Sequence, residues 1–205
     1  MRKFTLFSSL VALVLLIGLF VVGGLIKTSW AQPDDPLLLY SYETGVQGWS
    51  GSIVSNNPGG TVAITTTHAT HGSQALQIDS LPDQGANDDG DGGFFSVHPS
   101  PALNFVGYSY FKFDLHAPVS VTVFVAFQTG GWANWVQSSN FELGPGDHTV
   151  TVNLDTISGG GRLVNDNRID AIHIFYGTVG TFVQDYVRLE GYTCLLYTSP
   201  SPRDS

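Results

Sequence analysis

Tyr108-Ser109-Tyr110-Phe111-Lys112-Phe113-Asp114-Leu115-His116, followed after Ala117-Pro118 by Val121-Thr122-Val123-Phe124-Val125-Ala126-Phe127-Gln128, decides the fold. A β-strand turns successive side chains to opposite faces, so strict alternation of apolar and polar residues marks a half-buried strand. In the first run Phe111, Phe113 and Leu115 point one way, and Tyr110, Lys112, Asp114 and His116 point the other. The second run sets Val121, Val123, Val125 and Phe127 against Thr122, Phe124, Ala126 and Gln128. The link between them is short, so the two strands are expected to lie antiparallel over one core.

The same period continues along the chain. Val150, Val152 and Leu154 oppose Thr149, Thr151 and Asn153 after the turn Gly144-Pro145-Gly146-Asp147. Ile172 and Ile174 oppose His173 and Phe175. Weaker strands are expected over 38–43, 61–67, 74–80, 93–98, 135–143 and 182–190. No amphipathic helix and no internal repeat interrupts them. About ten short strands in one domain predict an all-β fold, a two-sheet antiparallel β-sandwich of the jelly-roll kind. Residues 83–93 read as an exposed acidic loop.

The ends stand apart from this domain. Arg2 and Lys3 precede an apolar run from Leu10 to Ile26, and Ser29-Trp30-Ala31 offers small residues at a cleavage site. Residues 1–31 are therefore a signal peptide, or a membrane anchor helix if they are retained. Either reading exports the rest of the chain, to the medium or to the cell surface. Residues 32–36 form a linker and 37–193 the sandwich. Residues 194–204 match, in frame, the translation of a transposon-end adapter used in DNA library preparation. Residues 194–205 are accordingly a non-native tail, Cys194 carries no redox or metal information, and a further domain is expected beyond residue 193.

Composition narrows the partners. Residues 32–193 hold sixteen Asp/Glu and four Lys/Arg, a formal charge of 4 − 16 = −12. Nucleic acid is excluded, because binding it depends on neutralising phosphates with Lys and Arg. Contact with a membrane is expected only through an uncleaved leader, and a monomer is expected. Without cysteine between 32 and 193, the domain is held by its core or by a metal rather than by disulfides.

Several short motifs then follow in a telling order: Tyr42-Glu43-Thr44-Gly45 with Gly48-Trp49; His71-Gly72-Ser73-Gln74-Ala75-Leu76-Gln77-Ile78; Phe127-Gln128-Thr129-Gly130 with Trp132 and Trp135; Phe141-Glu142-Leu143-Gly144-Pro145-Gly146; and Gln184-Asp185-Tyr186-Val187-Arg188-Leu189. Together they resemble the jelly-roll carbohydrate-binding modules appended to bacterial glycoside hydrolases such as mannanases and endoglucanases. The family often has Phe before the first acid, where this chain has Tyr42. The resemblance implies non-catalytic binding of a β-linked polysaccharide, β-mannan or β-glucan, that holds a downstream hydrolase on its substrate. It also implies a structural Ca²⁺, with Glu43 and Asp185 as carboxylate ligands and backbone oxygens near residues 71–73. The alternative for both acids is a solvated strand end.

Sugar rings carry apolar C–H patches, so a binding face needs exposed aromatic rings with polar groups beside them. Trp132 and Trp135 fit best, because the Gly130-Gly131 segment gives them little to be buried under; the opposing reading is that one plugs the end of the sandwich. Tyr110, Phe124 and Phe175 extend the platform on the outward register. Lys112, Asp114, Gln128, Asn134 and His173 would bond to hydroxyls. Trp49 is assigned to the core or rim. Asp114 with Glu142 or Asp79 could form a hydrolase pair only if they faced one cleft. His68 and His71 read as surface histidines lacking a third ligand. A catalytic jelly roll (polysaccharide lyase or glycoside hydrolase) and a structural or adhesive surface domain are the competing readings.

Overall fold

Alternation of this kind closes two sheets face to face. The computed structural model describes residues 36–51, 53–54, 57–81, 93–157 and 163–192. The leader, linker residues 32–35, the greater part of the acidic loop and the adapter-like tail lie outside the described residues. Among those described, the strands are β1 (Leu37–Tyr40), β2 (Ser50–Gly51), β3 (Ile53–Val54), β4 (Asn57–Pro58), β5 (Gly60–Thr65), β6 (Ala75–Ser80) and β7 (Gly93–Val97). They continue with β8 (Tyr108–Ala117), β9 (Val121–Thr129), β10 (Asn134–Gln137), β11 (Phe141–Leu143), β12 (Gly146–Asn153), β13 (Ile169–Tyr176) and β14 (Gly180–Tyr192).

A back sheet runs β12-β8-β14-β6-β5, with β1 also on β14; a front sheet runs β10-β9-β13-β7-β2, with β11 also on β9. Their strand pairings are antiparallel. The fold is the expected β-sandwich. Its interior takes the apolar half of each alternating run: Phe111, Phe113 and Leu115 from β8, Val121, Val123, Val125 and Phe127 from β9, Val150 and Val152 from β12, and Ile172 and Ile174 from β13. Each such side chain contributes about 1.5–3 kcal/mol on burial. Trp49 joins them at 2 % exposure, edge-on to Tyr40.

One strand expectation needs correction. The run 135–143 is not one strand but β10 and β11, because Ser138 competes with the ladder. Its amide donates to the Val125 carbonyl at 2.8 Å, its Oγ accepts from the Val125 amide at 3.0 Å, and the same hydroxyl donates to the Ser139 carbonyl. The closing strand β14 covers the expected 182–190 but carries a bulge: its register on β8 shifts between Asp185 and Arg188, with Tyr186 at φ +48°. Beside that bulge β14 exchanges β6 for β1 as its second neighbour.

A buried polar triad ties this region together. The Tyr176 hydroxyl donates to Gln184 Oε1 at 2.9 Å, and Gln184 Nε2 donates to the Tyr42 hydroxyl. All three residues are fully buried. Burial pushes both phenols well above their ordinary range, so they stay neutral. The hydroxyl of Tyr42 therefore has a structural partner that Phe at this position could not supply.

Candidate functional site

The strands of the front sheet that bury Val125, Phe127, Ile172 and Ile174 inward must turn their alternate residues outward. Cross-strand register then places Phe124 opposite Phe175 and Phe175 opposite Phe94, one aromatic row across β9, β13 and β7. Phe124 and Phe175 stack at 4.8 Å between centroids, and Phe94 closes on Phe175 at 5.0 Å. One step along, Ala126 faces His173 and His173 faces Ser96. The Trp135 indole, from β10, stacks on the His173 imidazole at 5.0 Å and meets Phe94 edge-on at 6.2 Å. Its Nε1 donates to Gln137 Oε1.

Trp132 extends this strip beyond the strand ends. Gly130, Gly131 and Trp132 are three successive residues at positive φ, the tryptophan at +73°. That conformation is unfavourable for a bulky residue and persists only where the surroundings impose it. Here Asp170 imposes it: one carboxylate oxygen accepts the Gly131 amide at 2.6 Å and the Trp132 amide at 3.2 Å, while the other accepts Arg168 Nε at 2.8 Å. The Arg168 contact, reinforced by the two amides, holds the Asp170 carboxyl below its usual range. So fixed, the Trp132 ring meets His98 edge-on at 4.9 Å, and His98 reaches His173 at 6.0 Å. The rings thus run without a break from Trp132 through His98, His173, Trp135 and Phe94 to Phe175 and Phe124. Trp132 is 48 % and Trp135 41 % exposed, so neither plugs the sandwich.

His173 is the hinge of the strip. Its Nε2 bonds to Gln128 Oε1 at 3.0 Å and its Nδ1 contacts the Ser96 hydroxyl at 2.6 Å, which suits a neutral ring with Nε2 as donor and Nδ1 as acceptor. Burial first, and His98 second, pull its pKa from 6.5 down to about 4. Between those values the unfolded chain takes up a proton that the folded one refuses. The His173 contribution is therefore full above about pH 6.5 and is lost as pH falls towards 4. After allowance for solvent screening this amounts to about 1–2 kcal/mol. The melting-temperature advantage of wild type over His173→Gln is expected to shrink by about 5 °C from pH 7 to pH 4.5; an advantage independent of pH would refute this role.

Of the expected platform, the front face brings together Trp132, Trp135, Phe124, Phe175, Gln128 and His173; Asn134, opposite the buried Thr129 and in step with Val136, lies on the other side of β10 from Trp135. The front face does not include Tyr110, Lys112 or Asp114. Those three lie on β8, on the outer face of the back sheet, and they serve a local network. Lys112 Nζ pairs with Glu190 at 2.6 Å and sits over the Tyr110 ring; Asp114 accepts from Thr149, Thr70 and Arg188. Alternation distinguishes inward from outward, but a sandwich has two outward faces. Phe94 and His98 were missed: Phe94 precedes the buried Phe95 in a five-residue strand, and His98 lies just beyond it. Glu142 belongs to the front sheet, bonded to Thr122, whereas Asp114 and Asp79 belong to the back sheet, so Glu142 shares no cleft with them.

Glu43 and Asp185 flank the 70–74 loop, but what faces them is N–H. Glu43 accepts the Ser73 and Gln74 amides, each at 2.7 Å, and the Ser73 hydroxyl; the amides, Gln74 first, keep its carboxyl below the usual range. Asp185 accepts the Thr70 and His71 amides at 2.7 Å, the Thr70 hydroxyl and its neighbour Tyr186's amide. Calcium needs six to eight oxygen donors, and this amide-lined arrangement does not fit one. An Asp185→Asn variant must turn an NH₂ towards amide donors. It is expected to lose about 2–3 kcal/mol in thermal unfolding and to speed hydrogen exchange at Thr70 and His71.

The two-sheet sandwich is a fold also seen in solved carbohydrate-binding modules. Among solved structures, the chain is similar to a module specific for non-crystalline cellulose, CBM28, at 18 % identity and a TM-score of 0.57, over 78 % of this chain and 97 % of that one. It is also similar to the family 11 module of a cellulosomal cellulase of Clostridium thermocellum, at 16 % identity and 0.53, over 78 % and 96 %. A family 11 module from Clostridium thermocellum in complex with a β-1,3-1,4-mixed-linked tetrasaccharide gives 16 % identity and 0.52, over 77 % and 96 %. These likenesses establish the fold. No protein-family profile matches the chain, and no curated protein does.

Proposed function

We propose that the domain is a non-catalytic polysaccharide-binding module that takes a β-linked glucan along the front face, with β-mannan as the second candidate. The observation that carries this reading is the unbroken ring strip whose two tryptophans remain 48 % and 41 % exposed. Exposed aromatic rings grouped on one face mark a binding surface, and flat rings match the C–H faces of pyranoses. Gln128 and Gln137, on the register of Trp135, lie beside the rings as hydroxyl partners. The cellulose-specific and mixed-linkage-binding modules that share the fold support a glucan. Export from the cell, and attachment to a glycoside hydrolase that the module holds on its substrate, belong to the same proposal. Affinity electrophoresis through gels containing barley β-glucan, hydroxyethylcellulose or galactomannan tests it. Retardation by a glucan is expected; unchanged mobility in every gel would end the proposal.

A further inference from the structure

The back sheet carries a second cluster that the sugar site does not use. His116 on β8 and Asp147 on β12 are direct cross-strand partners, and His116 Nδ1 lies 2.6 Å from Asp147 Oδ1. His68 arrives from the loop between β5 and β6; its ring stacks on His116 at 3.4 Å and its Nδ1 is 3.9 Å from the same carboxylate oxygen. That loop is anchored two residues later, where the Thr70 hydroxyl donates to Asp114 and the Thr70 amide to Asp185. One donor atom from each of His68, His116 and Asp147 falls within 4.8 Å of the others. The three line a pocket of about 190 Å³ with Thr70, Asp114 and His148.

We infer that His68, His116 and Asp147 form a site for a divalent first-row transition ion of the Zn²⁺ type, with water in the remaining position. Two imidazoles and one carboxylate are the N/O donor set that such ions take, at about 2.0–2.2 Å per ligand. Tetrahedral bonds of that length set donors about 3.4 Å apart. An ion lies in the plane of each imidazole that ligates it, so the cluster reaches this when the exposed His68 ring turns out of its stack on His116 and the exposed Asp147 carboxylate opens by under about 1 Å. Calcium and magnesium are disfavoured because they demand a shell of oxygens. The ion would staple the 66–74 loop, which supplies the amides to Glu43 and Asp185, onto the β8–β12 edge.

Titration of protein free of a histidine tag with Co²⁺ tests the site through the visible bands of the bound ion. One equivalent is expected to saturate them, Zn²⁺ to quench them, and excess Ca²⁺ to leave them unchanged. Zn²⁺ at a hundredfold excess over its dissociation constant should raise the melting temperature by about 5–10 °C. His68→Asn, a residue suited to the positive φ of +54° at this position, and His116→Gln should each weaken Co²⁺ binding at least tenfold. The metal-free melting temperature of His68→Asn, close to that of wild type, confirms its folding. Absence of the bands, affinity unchanged in either variant, or displacement by Ca²⁺ would overturn the assignment.

Discussion

A Trp132→Ala/Trp135→Ala double variant is expected to migrate through glucan gels as freely as through plain gel. An aromatic ring at the centre of a contact typically carries 2 kcal/mol or more, so removal of both weakens binding by about 4 kcal/mol, or about a thousandfold. The two rings are among the most exposed large apolar side chains described, so their loss should change the melting temperature by only a few degrees. Retained binding with both rings gone would show that the front strip is not the sugar face. The matched control is Tyr110→Ala, on the back sheet, which should leave mobility in glucan unchanged.

A Gln184→Ala variant acts on the fold rather than on the ligand. Gln184 is fully buried and is the shared partner of the Tyr42 and Tyr176 hydroxyls. Its removal strands two neutral phenols where water does not reach, at about 1–3 kcal/mol each, and leaves a cavity. A total near 4 kcal/mol is expected, lowering the melting temperature by about 10 °C. The triple variant Tyr42→Phe/Gln184→Leu/Tyr176→Phe removes the polar groups together and should recover most of that loss, because unpaired groups cost more than absent ones. If Gln184→Ala melted with wild type, or the triple variant were no better than the single, the triad would not be the element that joins β13 and β14 to the Tyr42 turn.

Much of this architecture is legible in short runs of residues. Phe111-Lys112-Phe113-Asp114-Leu115 announces a strand and its buried face, because alternation is a local property with a period of two. Trp49 reads as core or rim from its place near the first strand, and the exposure of Trp132 and Trp135 follows from the two glycines before them rather than from alternation. Alternation failed at Ser138, whose amide and hydroxyl between them capture the carbonyl and amide of Val125, and it carried no sign of the bulge at Tyr186 that moves β14 to a new neighbour. Side-chain competition with the ladder has no period and leaves no pattern in the chain.

What lay beyond any local pattern was partnership across the chain. Tyr110, Lys112 and Asp114 alternate as well as Phe124, Gln128 and Phe175 do, yet the two sets face opposite sides of the molecule. Which outward face a strand presents depends on the sheet that accepts it, and that is decided by long-range pairing. The same reason hides the metal-ligand geometry: His116 and Asp147 stand 31 residues apart and meet only because β8 and β12 pair in one register. Local chemistry dictates strands, their buried sides and the exposure of the tryptophans. Tertiary packing alone chooses which exposed side chains become neighbours, and binding sites are made of neighbours.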